Sequence, residues 1–133
     1  MTLLASGNCL KMENSLESGV AHYQLVLGGT SLHINDLVGK KIRINFTGQI
    51  NCIETGELIK KTFGQGYSYK AFITLAACDM CILKPEQCHY HLGTCREPKW
   101  GLKHCFQPHI VYLAETSDLK VGITRKVNVP HRW

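Results

Sequence analysis

The chain has 133 residues, of which 44% are hydrophobic and 19% are charged, and its formal net charge is +5. This length excludes a large multidomain enzyme, and this composition is typical of a folded chain rather than a disordered one. Seven cysteines and seven histidines are many for so short a sequence, and five of the cysteines lie between Cys78 and Cys105. This cluster predicts a metal ion or disulfide bonds that supplement a small core.

The first half of the chain predicts β-structure. Residues 20–34 contain two apolar runs around a pair of glycines, which predicts two short strands joined by a tight turn. Residues 41–50 alternate apolar and polar side chains, which predicts a half-buried strand. Residues 67–77 fit either a short helix or a strand.

The second half begins with residues 78–109, which are rich in cysteine, histidine and proline and predict loops held by something other than regular hydrogen bonds. Two apolar runs, 110–114 and 119–123, flank a polar turn and predict an antiparallel hairpin. We therefore expect an α+β chain that is mostly β. Its expected regions are a β-rich segment at 1–77, a metal-binding loop region at 78–109 and a hairpin at 110–133.

The N-terminus has neither a basic start nor a long apolar stretch, which argues against a secretory signal. No apolar run approaches the length that a membrane span requires. We expect a cytoplasmic protein without a membrane partner. Thiols stay reduced in that compartment, so clustered cysteines are more often metal ligands than disulfides.

The cysteine cluster has the composition of a zinc site, because zinc prefers four nitrogen or sulfur ligands and a C-x2-C pair lets two thiolates bind one ion. Six candidate ligands lie within 32 residues: Cys78, Cys81, Cys88, Cys95, Cys105 and His109. We predict Zn²⁺ bound by the first four, with the last two as substitutes. Three further histidines compete with them: His89, His91 and His104. The competing interpretation is a set of ordinary buried thiols that pack as small hydrophobic residues.

Basic residues concentrate in the second half. Residues 1–66 carry six Lys/Arg against five Asp/Glu, whereas residues 67–133 carry nine against five. This excess permits nucleic acid as a partner of a basic C-terminal face. The face would consist of Arg96, Lys99, Lys103, Arg125, Lys126 and Arg132. The alternative is a solvated basic surface without a partner.

Long motifs run along most of the chain. Among them are Lys61-Thr-Phe-Gly-Gln-Gly-Tyr67, Cys78-Asp-Met-Cys81, Gly93-Thr-Cys-Arg-Glu-Pro98 and Leu119-Lys-Val-Gly-Ile-Thr-Arg125. These motifs resemble domain of unknown function family 2797, a bacterial family without an established activity. The resemblance also implies a zinc-ribbon-like site made of two Cys-x2-Cys motifs. This chain retains only one of those cysteines, Cys52, while the partner positions are Thr55, Ser68 and Ala71. We expect that first site to be lost and Cys52 to be a buried or incidental thiol.

The C-terminal hairpin is similar to the opening of a GIY-YIG nuclease domain. The resemblance matches Tyr112 to the tyrosine of the first strand and Arg132 to an arginine that stabilises charge on the phosphate, while Lys120 replaces a tyrosine. The chain ends at Trp133, before the metal-binding glutamate of that superfamily. We therefore expect a non-catalytic zinc-binding protein that binds nucleic acid. The alternatives are an endonuclease completed by a partner and a truncated remnant without function.

Overall fold

The computed structural model describes residues 2–132 and divides the chain into two compact units, Met1–Ile73 and Thr74–Trp133. About 29% of the residues are in strands and about 24% in helices, and the sheets are small and antiparallel. The expected mixture of helix and strand is confirmed. Strand exceeds helix only slightly, because short 3-10 turns occupy much of the cysteine-rich segment.

The first unit opens with a three-stranded antiparallel sheet in the order β1-β2-β3. Its strands are β1 (Glu13–Glu17), β2 (Val20–Leu27) and β3 (Thr30–His33). The predicted glycine turn is confirmed, since Leu27 pairs with Thr30 across Gly28, whose φ of +58° lies in the left-handed region. Strand β1 was not predicted, because its residues show no clear alternation of apolar side chains. A 3-10 turn, Ile34–Leu37, follows the sheet.

The predicted strand over residues 41–50 is wrong. Residues 41–49 form no strand, and Ile42, Ile44 and Phe46 are 50%, 82% and 77% exposed. Alternation stabilises a strand only when a neighbouring strand supplies hydrogen bonds and one face is covered. In the part of the chain that the structure describes, this segment has neither.

The rest of the first unit surrounds a small core at Cys52, Ser68 and Ala71, which are all buried. A short ladder joins β4 (Ile50–Asn51) to β5 (Leu58–Ile59). Residues 67–77, which fit either a helix or a strand in the sequence, contain a helix, α1 (Tyr69–Thr74). Ser68 explains this outcome, because its hydroxyl oxygen accepts the Ala71 N–H at 3.2 Å as an N-cap.

The second unit holds both remaining sequence regions, 78–109 and 110–133. Several 3-10 turns lead to helix α2 (Pro98–His104), whose proline occupies the first helical position. The predicted hairpin is confirmed as β6 (His109–Glu115) paired with β7 (Leu119–Arg125). Among residues 2–132, none of the helices combines the length and the apolar character that crossing a bilayer requires.

Candidate metal centre

A small cavity in the second unit has several cysteines in its lining. Four thiols contribute to its lining: Cys81, Cys88, Cys95 and Cys105. The cavity volume is about 20 Å³, enough for one ion or one water molecule. An organic substrate needs a pocket more than ten times larger, on the order of 300 Å³. The cavity is therefore too small for an organic substrate and large enough for a single ion.

Short local elements bring the four thiols to this cavity. The backbone hydrogen bonds of each turn hold them, such as that from the Cys88 N–H to the Pro85 carbonyl at 3.0 Å. Gly93, with a φ of +73°, ends one turn in the left-handed region and reverses the chain just before Cys95. The thiols lie in the turn Met80–Ile82 (Cys81), after the turn Pro85–Gln87 (Cys88), after the turn Tyr90–Leu92 (Cys95) and at the end of α2 (Cys105).

Helix α2 and two aromatic rings form part of the cavity wall. Gly101 of α2 is buried, and a Cβ atom at this position would lie 3.4 Å from the Cys95 sulfur. The rings of Tyr90 and Phe106 also line the cavity, with their centroids 4.9 Å apart. The thiols therefore lie, partly exposed, in a largely apolar setting.

The thiols influence one another electrostatically. Burial raises the pKa of the Cys81 thiol, and the negative charges of Asp79, Cys88, Cys105 and Cys95 raise it further. Burial likewise raises the pKa of Cys105, and the charges of Cys88 and Cys95 add to this effect against the opposing charge of Arg125. These effects mean that the thiolates repel one another when no cation is present. A divalent cation between them reverses that balance, because it stabilises every thiolate at once.

Asp79 and His89 line the same cavity and belong to a hydrogen-bonded network. The Oδ2 atom of Asp79 accepts hydrogen bonds from Arg96 Nε at 3.0 Å and from His89 Nε2 at 3.2 Å. Burial opposes ionisation of Asp79, but the hydrogen bond from His89 and the charge of Arg96 outweigh it and lower the pKa of the carboxyl group. Ligand atoms of Asp79, Cys81 and His89 all lie within 4.8 Å of one another. A cluster of Asp, Cys and His that could hold a metal ion is therefore present.

The remaining candidate ligands lie elsewhere. Cys78 ends the turn Ala76–Cys78 and lies outside the cavity lining, whereas Cys105, a substitute in the sequence prediction, belongs to it. His109 is exposed at the start of β6, where its Nδ1 bonds to the Gln107 carbonyl at 2.7 Å. His104 stacks on Trp100 with the ring centroids 4.4 Å apart, and His91 is exposed. Spacing favoured Cys78, but the path of the chain through α2 is what brings Cys105 to the cavity.

The positions around Cys52 also come together, within the first unit. The Cys52 sulfur accepts the Ser68 N–H at 3.2 Å, and its side chain has no exposed surface, as expected of a buried thiol. Burial alone would raise the pKa of Cys52. Hydrogen bonds from the Thr55 hydroxyl and from backbone N–H groups outweigh burial and lower that pKa to about 6. With Ala71 bonded to Ser68, all four positions form one hydrogen-bonded cluster.

The predicted basic face divides into two groups. Arg96 bonds to Asp79. Arg125 donates a hydrogen bond to the His104 carbonyl at 3.4 Å, and its charge opposes the rise in the pKa of Cys105. These two arginines therefore interact with residues at or next to the cavity. The other four residues are exposed: Lys99, Lys103, Lys126 and Arg132.

The chain matches the family DUF2797, described as a protein of unknown function, over residues 39–133. The match spans well over half of the chain, so the chain belongs to this family. It includes both the cysteine-lined cavity and the hairpin, whereas the three-stranded sheet precedes it. No curated protein and no solved structure matches the chain.

Proposed function

We propose that this chain is a non-catalytic zinc-binding protein, in which Cys81, Cys88, Cys95 and Cys105 bind one Zn²⁺. The observation that carries the proposal is that these four thiols, together with Asp79 and His89, line one cavity of about 20 Å³. Four sulfur ligands suit the tetrahedral coordination of zinc. A site filled by four protein ligands leaves no position for substrate, so the role of the ion is structural.

The alternative ligand set of Asp79, Cys81 and His89 fits a metal less well. Arg96 already supplies a positive charge to the Asp79 carboxylate at 3.0 Å. A metal ion bound to Asp79 would have to displace this guanidinium or tolerate its repulsion. We assign Asp79, His89 and Arg96 to a supporting network that holds the Cys81 turn in place. Networks of this kind orient the ligands of a metal without binding it.

Elemental analysis of the purified chain tests the proposal, with about one zinc per chain expected from the four-ligand rule. Removal of zinc with a chelator should unfold residues 74–132, because binding energy at a structural site is also folding energy. Hydrogen exchange measures this loss segment by segment. A metal-free chain with full protection in the second unit would contradict the proposal.

We further propose that the exposed basic residues bind nucleic acid through its phosphates. Lys99 and Lys103 support this part, because both are exposed and a spacing of four places them on one side of α2. Lys126 and Arg132 add exposed positive charge in the same unit. Fluorescence anisotropy with a labelled duplex and a labelled single strand, across a salt series, tests this proposal. Binding that is absent at low salt would contradict it.

The competing function is an endonuclease completed by a partner, which the resemblance of the hairpin suggests. A plasmid-nicking assay with magnesium separates the two functions. We expect no nicking. Magnesium-dependent nicking that Tyr112→Phe or Arg132→Ala abolishes would favour the nuclease instead.

A further inference from the structure

Two histidines face each other in the three-stranded sheet of the first unit, outside the segment that matches the family. His22 Nδ1 lies 3.3 Å from His33 Nε2, and the two rings are nearly parallel, with an angle of 13° between them. On its other side, His33 Nδ1 lies 3.2 Å from the Asp36 carboxylate. None of these residues takes part in the cysteine-lined cavity.

The pairing of β2 with β3 and the side chain of Asn35 hold these residues in place. Gln24 pairs with His33 across the ladder of β2 and β3, and His22 lies two residues before Gln24, so both imidazoles are on one face of the sheet. The Asn35 side chain then clamps the following turn to β2. It accepts the Tyr23 N–H and donates to the Ala21 carbonyl, each at 2.9 Å. Because Ala21 and Tyr23 flank His22, this clamp fixes the segment of His33 and Asp36 against His22.

The separation of the two nitrogens is that of two ligands on one tetrahedral ion. Zinc–nitrogen bonds of about 2.0–2.1 Å at a tetrahedral angle put two ligand nitrogens roughly 3.3–3.4 Å apart. As a hydrogen bond, in contrast, 3.3 Å exceeds the usual range of about 2.7–3.2 Å. The observed distance is long for a hydrogen bond and matches the separation of two nitrogen ligands on one ion.

Asp36 gives His33 the orientation of a metal ligand. A carboxylate only accepts hydrogen bonds, so in the neutral ring the proton of His33 lies on Nδ1 and the lone pair of Nε2 points toward His22. A carboxylate behind a histidine in this way is the common outer partner of a histidine ligand. His22 completes the pair when its own proton lies on Nε2, which leaves its Nδ1 lone pair free.

We propose that His22 and His33 form a second metal site, with Asp36 as its positioning residue. The site takes a divalent transition ion of the class that prefers imidazole, with Zn²⁺ as its representative. The His33 side chain is 36% exposed, so water or an incoming ligand fills the remaining positions on the ion. The site is therefore open, in contrast to the closed thiolate site of the second unit.

Calorimetric titration with zinc tests this site. The full chain is first loaded with one equivalent of zinc, which fills the proposed thiolate site. We expect one further binding event, which His22→Gln and His33→Gln each weaken at least about tenfold, and which Asp36→Asn weakens by roughly 10-fold or more. The matched control is His131→Gln, which changes an exposed histidine of the other unit and should leave the event unchanged. Titrated from the metal-free state, Cys105→Ser should lose the tight binding event and keep the weaker one, which separates this site from the proposed thiolate site.

A second measurement does not depend on the folding of any variant. In the unaltered chain, zinc should shift the ring NMR signals of His22 and His33 together, in proportion to the heat of the same event. The absence of a further binding event would overturn the proposal. So would an event that persists in the His22→Gln/His33→Gln variant, or ring shifts at other histidines instead.

Discussion

Tyr112 lies against Gly122, its partner across the hairpin of β6 and β7. A Cβ atom at position 122 would lie 2.6 Å from the Tyr112 oxygen, closer than real contacts permit. Gly122 therefore leaves the space that the ring occupies. This packing gives Tyr112 and the Val-Gly pair of β7 a structural role that requires no catalysis.

Replacing Gly122 should destabilise the hairpin. Gly122→Ala forces the Tyr112 ring out of its position, and overpacking of this kind costs about 1–3 kcal/mol. Urea denaturation followed by circular dichroism measures the loss. Gly29→Ala is the matched control, because a Cβ atom at Gly29 would meet open space. Equal effects of the two substitutions would show that the ring does not depend on the glycine.

Arg96 should stabilise the fold rather than bind nucleic acid. Its partner Asp79 has a side chain only 14% exposed, so Arg96→Ala leaves a poorly solvated carboxylate without its cation. We expect a loss of about 1–3 kcal/mol in unfolding free energy, the usual cost of an unsatisfied polar group. Lys99→Ala, at an exposed position three residues away, should change stability little. If Arg96→Ala left the unfolding free energy unchanged, that result would argue against the supporting network around Cys81.

The exposed lysines of α2 should account for part of any nucleic-acid binding. Each phosphate contact contributes about one unit to the slope of log affinity against log salt, so Lys99→Ala/Lys103→Ala should reduce that slope by about two. Anisotropy titrations across a salt series measure it. Lys84→Ala is the control, since Lys84 is exposed in the same unit but lies outside the proposed surface. An equal reduction by Lys84→Ala would indicate nonspecific attraction to net charge.

Cys52 should make the stability of the first unit depend on pH. Its pKa is about 6 in the folded chain and near 9.0 otherwise, so the unfolded state binds more protons between these values. Stability from this thiolate is therefore complete above the unfolded pKa and is lost as pH falls through the folded pKa. Denaturation from pH 6 to 9 should show a rise in stability with pH that Cys52→Ala abolishes. Cys9→Ala, which removes an exposed thiol, is the control and should keep the rise in stability. If Cys52→Ala showed the same rise as the unaltered chain, Cys52 could not be its source.

Sequence patterns predicted the parts of the fold that depend on neighbouring residues. The glycine turn between β2 and β3 and the hairpin at Tyr112 and Gly122 follow from short-range turn and alternation signals. The failure at residues 41–50 has a physical reason. Alternation reports which side chains a strand would bury, but not whether another strand pairs with it.

The proposed metal sites depend on contacts that spacing does not encode. Cys78 and Cys81 have the spacing of a metal-binding pair, yet Cys105 lines the cavity and Cys78 does not, because α2 and the turns before it determine which cysteines reach it. His22 and His33 are eleven residues apart, and their spacing matches no metal-binding motif. Only the register of β2 and β3 shows that their rings meet.

The zinc content of Cys105→Ser and Cys78→Ser, measured by elemental analysis after dialysis against a weak chelator, tests the central claim most directly. The cavity geometry predicts that Cys78→Ser keeps about one tightly bound zinc, as the unaltered chain does, and that Cys105→Ser loses it. Zinc retained in Cys105→Ser and lost in Cys78→Ser would contradict the proposed ligand set. Zinc absent from the unaltered chain would contradict the metal centre itself.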